Sequence, residues 1–424
     1  MRLDLVVVGL GYVGLPLAQE ACRSGLSVVG LDLDQQVVDC LGGGRSHIDD
    51  LADADIAQML AAGFRATTDP TVIADLDPQA GTVVICVPTP LSEDGGPDLT
   101  AVLSAAETIR QHLPAGVLVV LESTTWPGTT EELLRPLLEA DGQLVGQHIF
   151  LAFSPERIDP GNASFGFRNT PKVVGGVTAG CLQRATAFYS KIVDQVVPAR
   201  GTREAEMAKL LENTYRHVNI ALVNEMAQFC HELDIDLWDV IECARTKPFG
   251  FQAFYPGPGV GGHCIPIDPN YLSHRVRAAL GYPFRFVELA QEINHGMPTY
   301  VVRRIQDALN DVGKPLRGST VLLLGVTYKA DSRDQRESPA VPIARGLADA
   351  GAVVQFHDPH VQVWAAGGLN LDRVDPLDDA VTKADITVLL QKHASYDFDR
   401  IARTATLLLD TRGAVPARPG VERL

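Results

Sequence analysis

Apolar runs alternate with helical patterns along the first half of the chain. Leu3-Val8, Ser27-Asp32, Thr82-Val87, Val117-Leu121, Ile149-Phe153 and Lys172-Val174 are predicted as strands, and their alternation with helices implies a parallel sheet covered on both faces. Beyond Arg200 the pattern changes. Met207, Leu210, Leu211, Val218, Leu222 and Met226 recur near a 3.6-residue period, which predicts a long helix from Arg203 to about Leu233. A second strand-helix unit begins at Val321-Leu324 and continues through Val353-Phe356, Ile386-Leu390 and Thr406-Leu409. Gly and Pro punctuate residues 313–318, so the expected segments are 1–200, 201–313 and 314–424.

The first strand runs directly into Gly9-Leu10-Gly11-Tyr12-Val13-Gly14, and a helix is expected to open near Leu15-Pro16. In that setting the glycines let backbone amides and the positive helix end meet a pyrophosphate. Asp32 closes the second strand about 20 residues on, the distance at which a carboxylate accepts hydrogen bonds from an adenosine ribose. Its charge opposes a 2′-phosphate, so NAD rather than NADP is the expected cofactor. Pro88 and Thr89 end the next strong strand, and Ser123 and Thr124 end another, at the sheet edge where ligands collect. Gly9, Gly11, Tyr12, Val13, Gly14, Asp32, Pro88, Thr89, Ser123 and Thr124 are therefore candidate cofactor contacts.

Charge and composition narrow the partners. The formal net charge of -16 repels polyanions, which makes nucleic acid and anionic membrane surfaces poor candidates. The apolar start is broken at Gly9 with no cleavage pattern after it, and a membrane span needs roughly 20 uninterrupted apolar residues. The 7 cysteines are odd in number and form no CxxC pair. A reducing cytoplasm is expected, and no zinc site is indicated.

The most informative stretch runs Tyr255-Pro256-Gly257-Pro258-Gly259-Val260-Gly261-Gly262-His263-Cys264-Ile265-Pro266-Ile267-Asp268-Pro269. Glycines and prolines at this density describe a rigid loop with exposed amides. Asp268 and Pro269 have the types expected at an N-cap and a first helical position, and Cys264 lies just before them, where a thiolate is favoured. Most free cysteines are small buried hydrophobes, but a glycine-dense loop is a poor place to bury one. Lys209 and Asn213 are spaced i,i+4, so both project from one helix face. Ser154-Pro155-Glu156-Arg157 closes a further strand of the first sheet.

On these residues the chain resembles the UDP-glucose/GDP-mannose dehydrogenases over essentially its whole length, most specifically in Gly257-Pro258-Gly259-x-Gly261-Gly262-x-Cys264-x-Pro266-x-Asp268. The resemblance implies an α/β fold with two Rossmann-like doubly wound domains joined by a central helical segment. It implies an N-terminal NAD site, a homodimer supported by the helical segment, and a C-terminal domain that binds the nucleotide of a UDP-sugar. Carried over by motif, Cys264 is the nucleophile, Lys209 and Asn213 stabilise oxyanions, Thr124 and Asp268 position or activate water, and Glu156 assists thioester hydrolysis. Lys329 is the expected substrate lysine, Arg336 the arginine that reaches the cofactor, and Arg412 a late substrate-side arginine. Tyr255, Gly257, Gly259 and Gly261 complete the expected substrate contacts with Glu156 and Arg157. The implied chemistry is a four-electron oxidation of a sugar C6 alcohol, with the aldehyde captured by cysteine and the resulting thioester hydrolysed.

Departures from the commonest family pattern bear on the sugar. His263 and Ile267 stand where serine and lysine are common, and Arg157-Ile158-Asp159-Pro160-Gly161 follows Glu156 in place of Phe-Leu. Both variants resemble the branch acting on UDP-N-acetylhexosamines, so UDP-N-acetylglucosamine is the first expected substrate. UDP-N-acetylmannosamine, UDP-N-acetylgalactosamine and UDP-glucose stay open. Two other classes fit less well: hydroxyacid dehydrogenases lack the cysteine loop and need no second nucleotide domain, and a non-catalytic nucleotide-sugar sensor implies loss of Cys264, Lys209 or Asp268, all of which are present.

Overall fold

The computed structural model describes residues 2–92, 96–158, 164–262, 265–416 and 418–424. His263, Cys264 and the Asp159-Pro160-Gly161 turn lie outside the described residues. The chain falls into two compact units, one of residues 1–212 with 270–280, the other of 213–269 with 281–424. The segment expected at 201–313 therefore contributes to both.

In the first unit, β1 (Leu5–Val8), β2 (Val28–Leu31), β3 (Arg65–Thr67), β4 (Thr82–Ile85), β5 (Leu118–Leu121), β6 (Phe150–Phe153), β7 (Lys172–Gly176) and β8 (Val196–Pro198) form one sheet in the order β3-β2-β1-β4-β5-β6-β7-β8. Its first six strands have the doubly wound order of dinucleotide-binding sheets. All neighbours are parallel except β6 and β7, which pair antiparallel through Ala152 and Gly176.

β1, β2, β4 and β5 are buried along their full length, which is why each, apart from Thr82 at the start of β4, reads as an apolar run. Their side chains divide by the period of two. Val6, Val8, Val83, Ile85, Val119 and Leu121 enter one core, and Leu5, Val7, Val84, Leu118 and Val120 enter the other. Burying each such side chain contributes roughly 1.5–3 kcal/mol. A polar substitution at Val7 or Val84 would therefore break the layer under the cofactor edge.

In the second unit, β9 (Thr320–Leu324), β10 (Val353–His357), β13 (Ile386–Leu389), β14 (Leu408–Asp410) and β15 (Val421–Arg423) form a parallel sheet in the order β10-β9-β13-β14-β15. β11 (Val363–Ala366) and β12 (Leu369–Asp372) make a separate antiparallel pair. The expected central helix spans Thr202–Glu232, and helices Leu237–Arg245 and Arg285–Asp311 follow in this unit. Asp236 caps the second of these, its carboxylate accepting from the backbone amides of Trp238 and Asp239. No helix among the described residues is long and apolar enough to cross a membrane.

Candidate active site

The glycine fingerprint turns from β1 into helix Gly14–Arg23. A Cβ on Gly14 would lie 1.9 Å from the Gly9 carbonyl oxygen, so packing of the turn on itself excludes any larger residue. A Cβ on Gly11 would meet no protein atom within 4 Å. Protein packing does not require that glycine, whereas close approach of a pyrophosphate to the backbone does. Asp32 faces the same turn: its Oδ2 accepts from the Leu10 amide at 2.8 Å and its Oδ1 from the Asp34 amide at 3.0 Å. These two bonds fix the carboxylate beside the glycines, and the residues fit an adenosine diphosphate. Pro88 is exposed and Thr89 buried at the end of β4. The Tyr271 hydroxyl donates to the Thr89 carbonyl. Ser123 donates its hydroxyl to the Val87 carbonyl at 2.7 Å and so ties the ends of β4 and β5 together, while Thr124 beside it is half-buried.

Glu156 follows β6 and sits in a buried ionic network. Lys172 at the start of β7 places Nζ 3.1 Å from Glu156 Oε2 and 3.1 Å from Glu122 Oε2 at the end of β5. The Tyr189 hydroxyl donates to the other Glu122 oxygen. Burial pushes the Glu122 carboxyl up, to about 7, against the pull of Lys172. Burial also acts against the Lys172 charge, but the two facing carboxylates outweigh it and hold its pKa above the ordinary lysine value. Glu156 Oε1 accepts from the amides of Arg157 and Ile158, each at 2.6 Å, and the Glu156 carbonyl accepts from Lys209 Nζ at 2.6 Å. Arg157, expected at the sugar, pairs with Glu212 at 2.7 Å and donates to the Pro171 carbonyl at 2.8 Å. Helix Thr202–Glu232 supplies Glu212 and turns it toward the arginine.

In the second unit the Asn213 amide donates to Asp268 Oδ2 at 2.5 Å, with both residues buried. Asp268 is the first residue of helix Asp268–Leu280. The glycine loop before it is held at two points. Gly257 donates its amide to Asn224 Oδ1 at 2.9 Å, and Gly262 donates to the Arg336 carbonyl at 3.0 Å. Gly261 is packed so closely that a Cβ would lie 2.7 Å from the Glu337 carbonyl oxygen. Gly259 likewise leaves only 3.0 Å to Pro339 Cβ.

A cavity of about 660 Å³ opens beside this loop, lined by Trp238, Glu242, Tyr255, Gln391, Lys392 and Arg412 among others. Its volume falls in the range of small-molecule sites. The Trp238 and Tyr255 rings stack at 5.8 Å with an interplanar angle of 17°, and Tyr255 donates its hydroxyl to Glu242 at 2.7 Å. Arg412 is held by a 2.6 Å bond from Nε to the Leu390 carbonyl, and burial lowers its pKa to about 10, against the pull of Asp410. Lys329 is not among the lining residues. Arg336, expected to reach the cofactor, makes bonds of 2.9 and 3.0 Å from Nε to the two Asp334 oxygens.

Residues 3–193 match the NAD binding domain of the UDP-glucose/GDP-mannose dehydrogenase family, residues 203–296 its central domain and residues 322–417 its UDP binding domain. The chain belongs to this family. As a UDP-glucose/GDP-mannose family dehydrogenase it is an NAD-dependent oxidoreductase. It is 36% identical over 430 residues to an NDP-N-acetyl-D-galactosaminuronic acid dehydrogenase of Ralstonia solanacearum, covering 97% of this chain and 96% of that protein. It is 34% identical over 405 residues to a UDP-N-acetyl-D-mannosamine dehydrogenase of Methanocaldococcus jannaschii, covering 93% and 87%. A solved UDP-D-ManNAc dehydrogenase from Pyrococcus horikoshii superposes with a TM-score of 0.88 at 31% identity, covering 100% and 99% of the two chains.

Several residues of this family dehydrogenase carry no local signal in the sequence. Lys172 heads a predicted strand, and the sign of its role is that a lysine heading a buried apolar run needs a buried anion. Trp238, Glu242, Gln391 and Lys392 come to the cavity from segments far apart in the chain, and no local spacing marks them.

Proposed function

We propose that this chain oxidises the C6 alcohol of a UDP-linked 2-acetamido sugar to the carboxylate, with UDP-N-acetylmannosamine first and UDP-N-acetylgalactosamine second. The observation that carries this reading is likeness over nearly the full length to dehydrogenases named for N-acetylmannosamine and N-acetylgalactosaminuronic acid. It replaces the sequence-based expectation of UDP-N-acetylglucosamine. That expectation rested on His263 and Ile267 in the cysteine loop and on Arg157 with the Asp159-Pro160-Gly161 turn; Arg157 is bonded to Glu212 and the Pro171 carbonyl, and His263 and the turn lie outside the described residues.

In this reading the fingerprint glycines and Asp32 hold NAD, which when bound supplies the hydride acceptor. Cys264 adds to the C6 aldehyde and forms the thioester at the second oxidation. Lys209 and Asn213 stabilise the oxygen on which negative charge develops, and Asp268, bonded to Asn213, takes up and returns protons. Glu156 and Thr124 assist the attack of water. The cavity bearing Tyr255, Lys392 and Arg412 takes the uridine diphosphate: stacked aromatic rings offer a face to a base, and the cations offset phosphate charge. Tyr215, Leu222 and Phe229 are all exposed at seven-residue spacing on helix Thr202–Glu232, which supports a homodimer built on that face.

NADH formation across UDP-N-acetylmannosamine, UDP-N-acetylgalactosamine, UDP-N-acetylglucosamine and UDP-glucose tests the assignment. The expected order of kcat/KM is as written: the relatives' named sugars lead, and UDP-glucose comes last because a site that bonds an acetamido group rejects a sugar lacking it. A higher kcat/KM for UDP-glucose than for every acetamido sugar would overturn it.

A further inference from the structure

We propose that Lys172 is a positioning residue for the hydrolytic half of the reaction, holding Glu156 so that its carboxylate serves water while its carbonyl carries Lys209. This rests on the reading in which Glu156 assists thioester hydrolysis. In that step a water oxygen bonds to the thioester carbon, one water proton passes to the Glu156 carboxylate, and the C–S bond breaks with its electron pair leaving on Cys264. No oxidant is consumed.

The geometry makes Lys172 the anchor of the whole Glu156 turn. A carboxylate offers about four acceptor positions. Oε1 takes the Arg157 and Ile158 amides, which folds the side chain back over the peptide that follows it, and Oε2 takes Lys172. One acceptor position is left on Oε2, and its direction is set by where Lys172 stands. The same folded turn presents the Glu156 carbonyl to Lys209. Lys172 is itself fixed on every side: its side chain is 5% exposed, Glu122 binds it at 3.1 Å, and the Phe167 and Tyr189 rings lie 4.9 and 5.4 Å from Nζ. Both carboxylates together hold the charge on the buried lysine. Its hydrogen bond runs to Glu156 Oε2, so the ammonium sets where that oxygen stands.

Lys172→Met by itself strands Glu122 in the interior without its cation and endangers the fold. The test therefore uses the full-length double variant Lys172→Met/Glu122→Gln, in which the buried pair is neutral, beside Lys172→Arg and Glu156→Gln. The double variant is expected to keep the parent's melting behaviour and NAD affinity. Its kcat should fall about a hundredfold, the scale of a lost proton-transfer group. Its KM for the UDP-sugar should stay within about threefold, since the loss falls after sugar binding. Mixing enzyme with saturating substrates should give a burst of NADH followed by slow turnover, and intact-mass measurement should find the sugar acyl group on the enzyme. Lys172→Arg keeps a cation between the carboxylates and should recover roughly a tenth or more of the parent kcat. Glu156→Gln should show the same burst and the same trapped acyl group. A folded double variant with no trapped acyl group, beside a Glu156→Gln enzyme that traps it, overturns the role of Lys172 alone. If Glu156→Gln also turns over without trapping, the role of Glu156 falls and the proposal with it.

Discussion

Asn213 and Asp268 stand 55 positions apart in the chain, yet the Asn213 amide donates to Asp268 Oδ2 at 2.5 Å in a buried setting. A carboxylate that accepts from a buried neutral amide is fixed in orientation without a second charge beside it. An aspartate at 213 would set two buried carboxylates together, and a leucine would leave Asp268 without this bond. The pairing explains why a residue of mediocre helix propensity occupies the middle of helix Thr202–Glu232.

Asp268→Asn retains the shape of the side chain and removes its capacity to accept a proton. The expected result is a fall in kcat of about 10²–10⁴, the range for a lost general acid or base. NAD affinity should hold, and steady-state kinetics with a binding titration checks both. Activity within a few-fold of the parent would remove Asp268 from the proton transfers.

Asp32→Ala removes the carboxylate that binds the Leu10 amide beside the fingerprint. NAD should bind about tenfold more weakly, equivalent to ~1.4 kcal/mol, and the preference for NAD over NADP should shrink. Titration of the two cofactors by protein fluorescence provides the measurement. An unchanged preference would mean that another residue reads the ribose.

A cysteine thioester requires both hydrides to leave before the acid is released. Two NADH per uronic acid are expected, and Cys264→Ser should lose turnover while binding NAD as the parent does. One NADH per product, counted by absorbance against chromatography of the sugar, contradicts the four-electron scheme.

His217 contributes a destabilising term on the acid side of the stability profile. Burial, with a smaller push from His295, lowers its pKa to about 4, and Asn294 Nδ2 lies 3.4 Å from its Nδ1. The unfolded chain, with an ordinary histidine, binds the proton first as pH falls below about 6.5. The contribution of His217 to stability is therefore lost between about pH 6.5 and 4, by about 3 kcal/mol once both forms are protonated, while Glu122 and Glu206, both pushed up to about 7 by burial, act in the opposite sense over that interval. His217→Gln should lose less over that interval, read from urea midpoints at pH 7 and pH 4.5. Parallel losses in parent and variant would place the acid sensitivity elsewhere.

The sequence by itself determined the sheet strands that are buried on both faces, because Leu5–Val8, Val28–Leu31, Thr82–Ile85 and Leu118–Leu121 have no polar side to interrupt them. It determined the cofactor turn as well, since Gly9 to Gly14 and Asp32 act through backbone geometry written in adjacent residues. The short strands Arg65–Thr67, Val196–Pro198 and Val421–Arg423 were not legible: each has three residues, takes its place at or near a sheet edge, and forms through hydrogen bonds to a neighbour rather than through an apolar pattern of its own. Arg157 reads as a ligand-binding charge in the sequence, and tertiary structure adds an ion pair to Glu212, 55 residues on. Only the fold could bring Lys172 between Glu122 and Glu156, because β5, β6 and β7 are neighbours in the sheet while these residues are distant in the chain. A buried charge is settled by what faces it in space, and the order of residues along the chain does not state that.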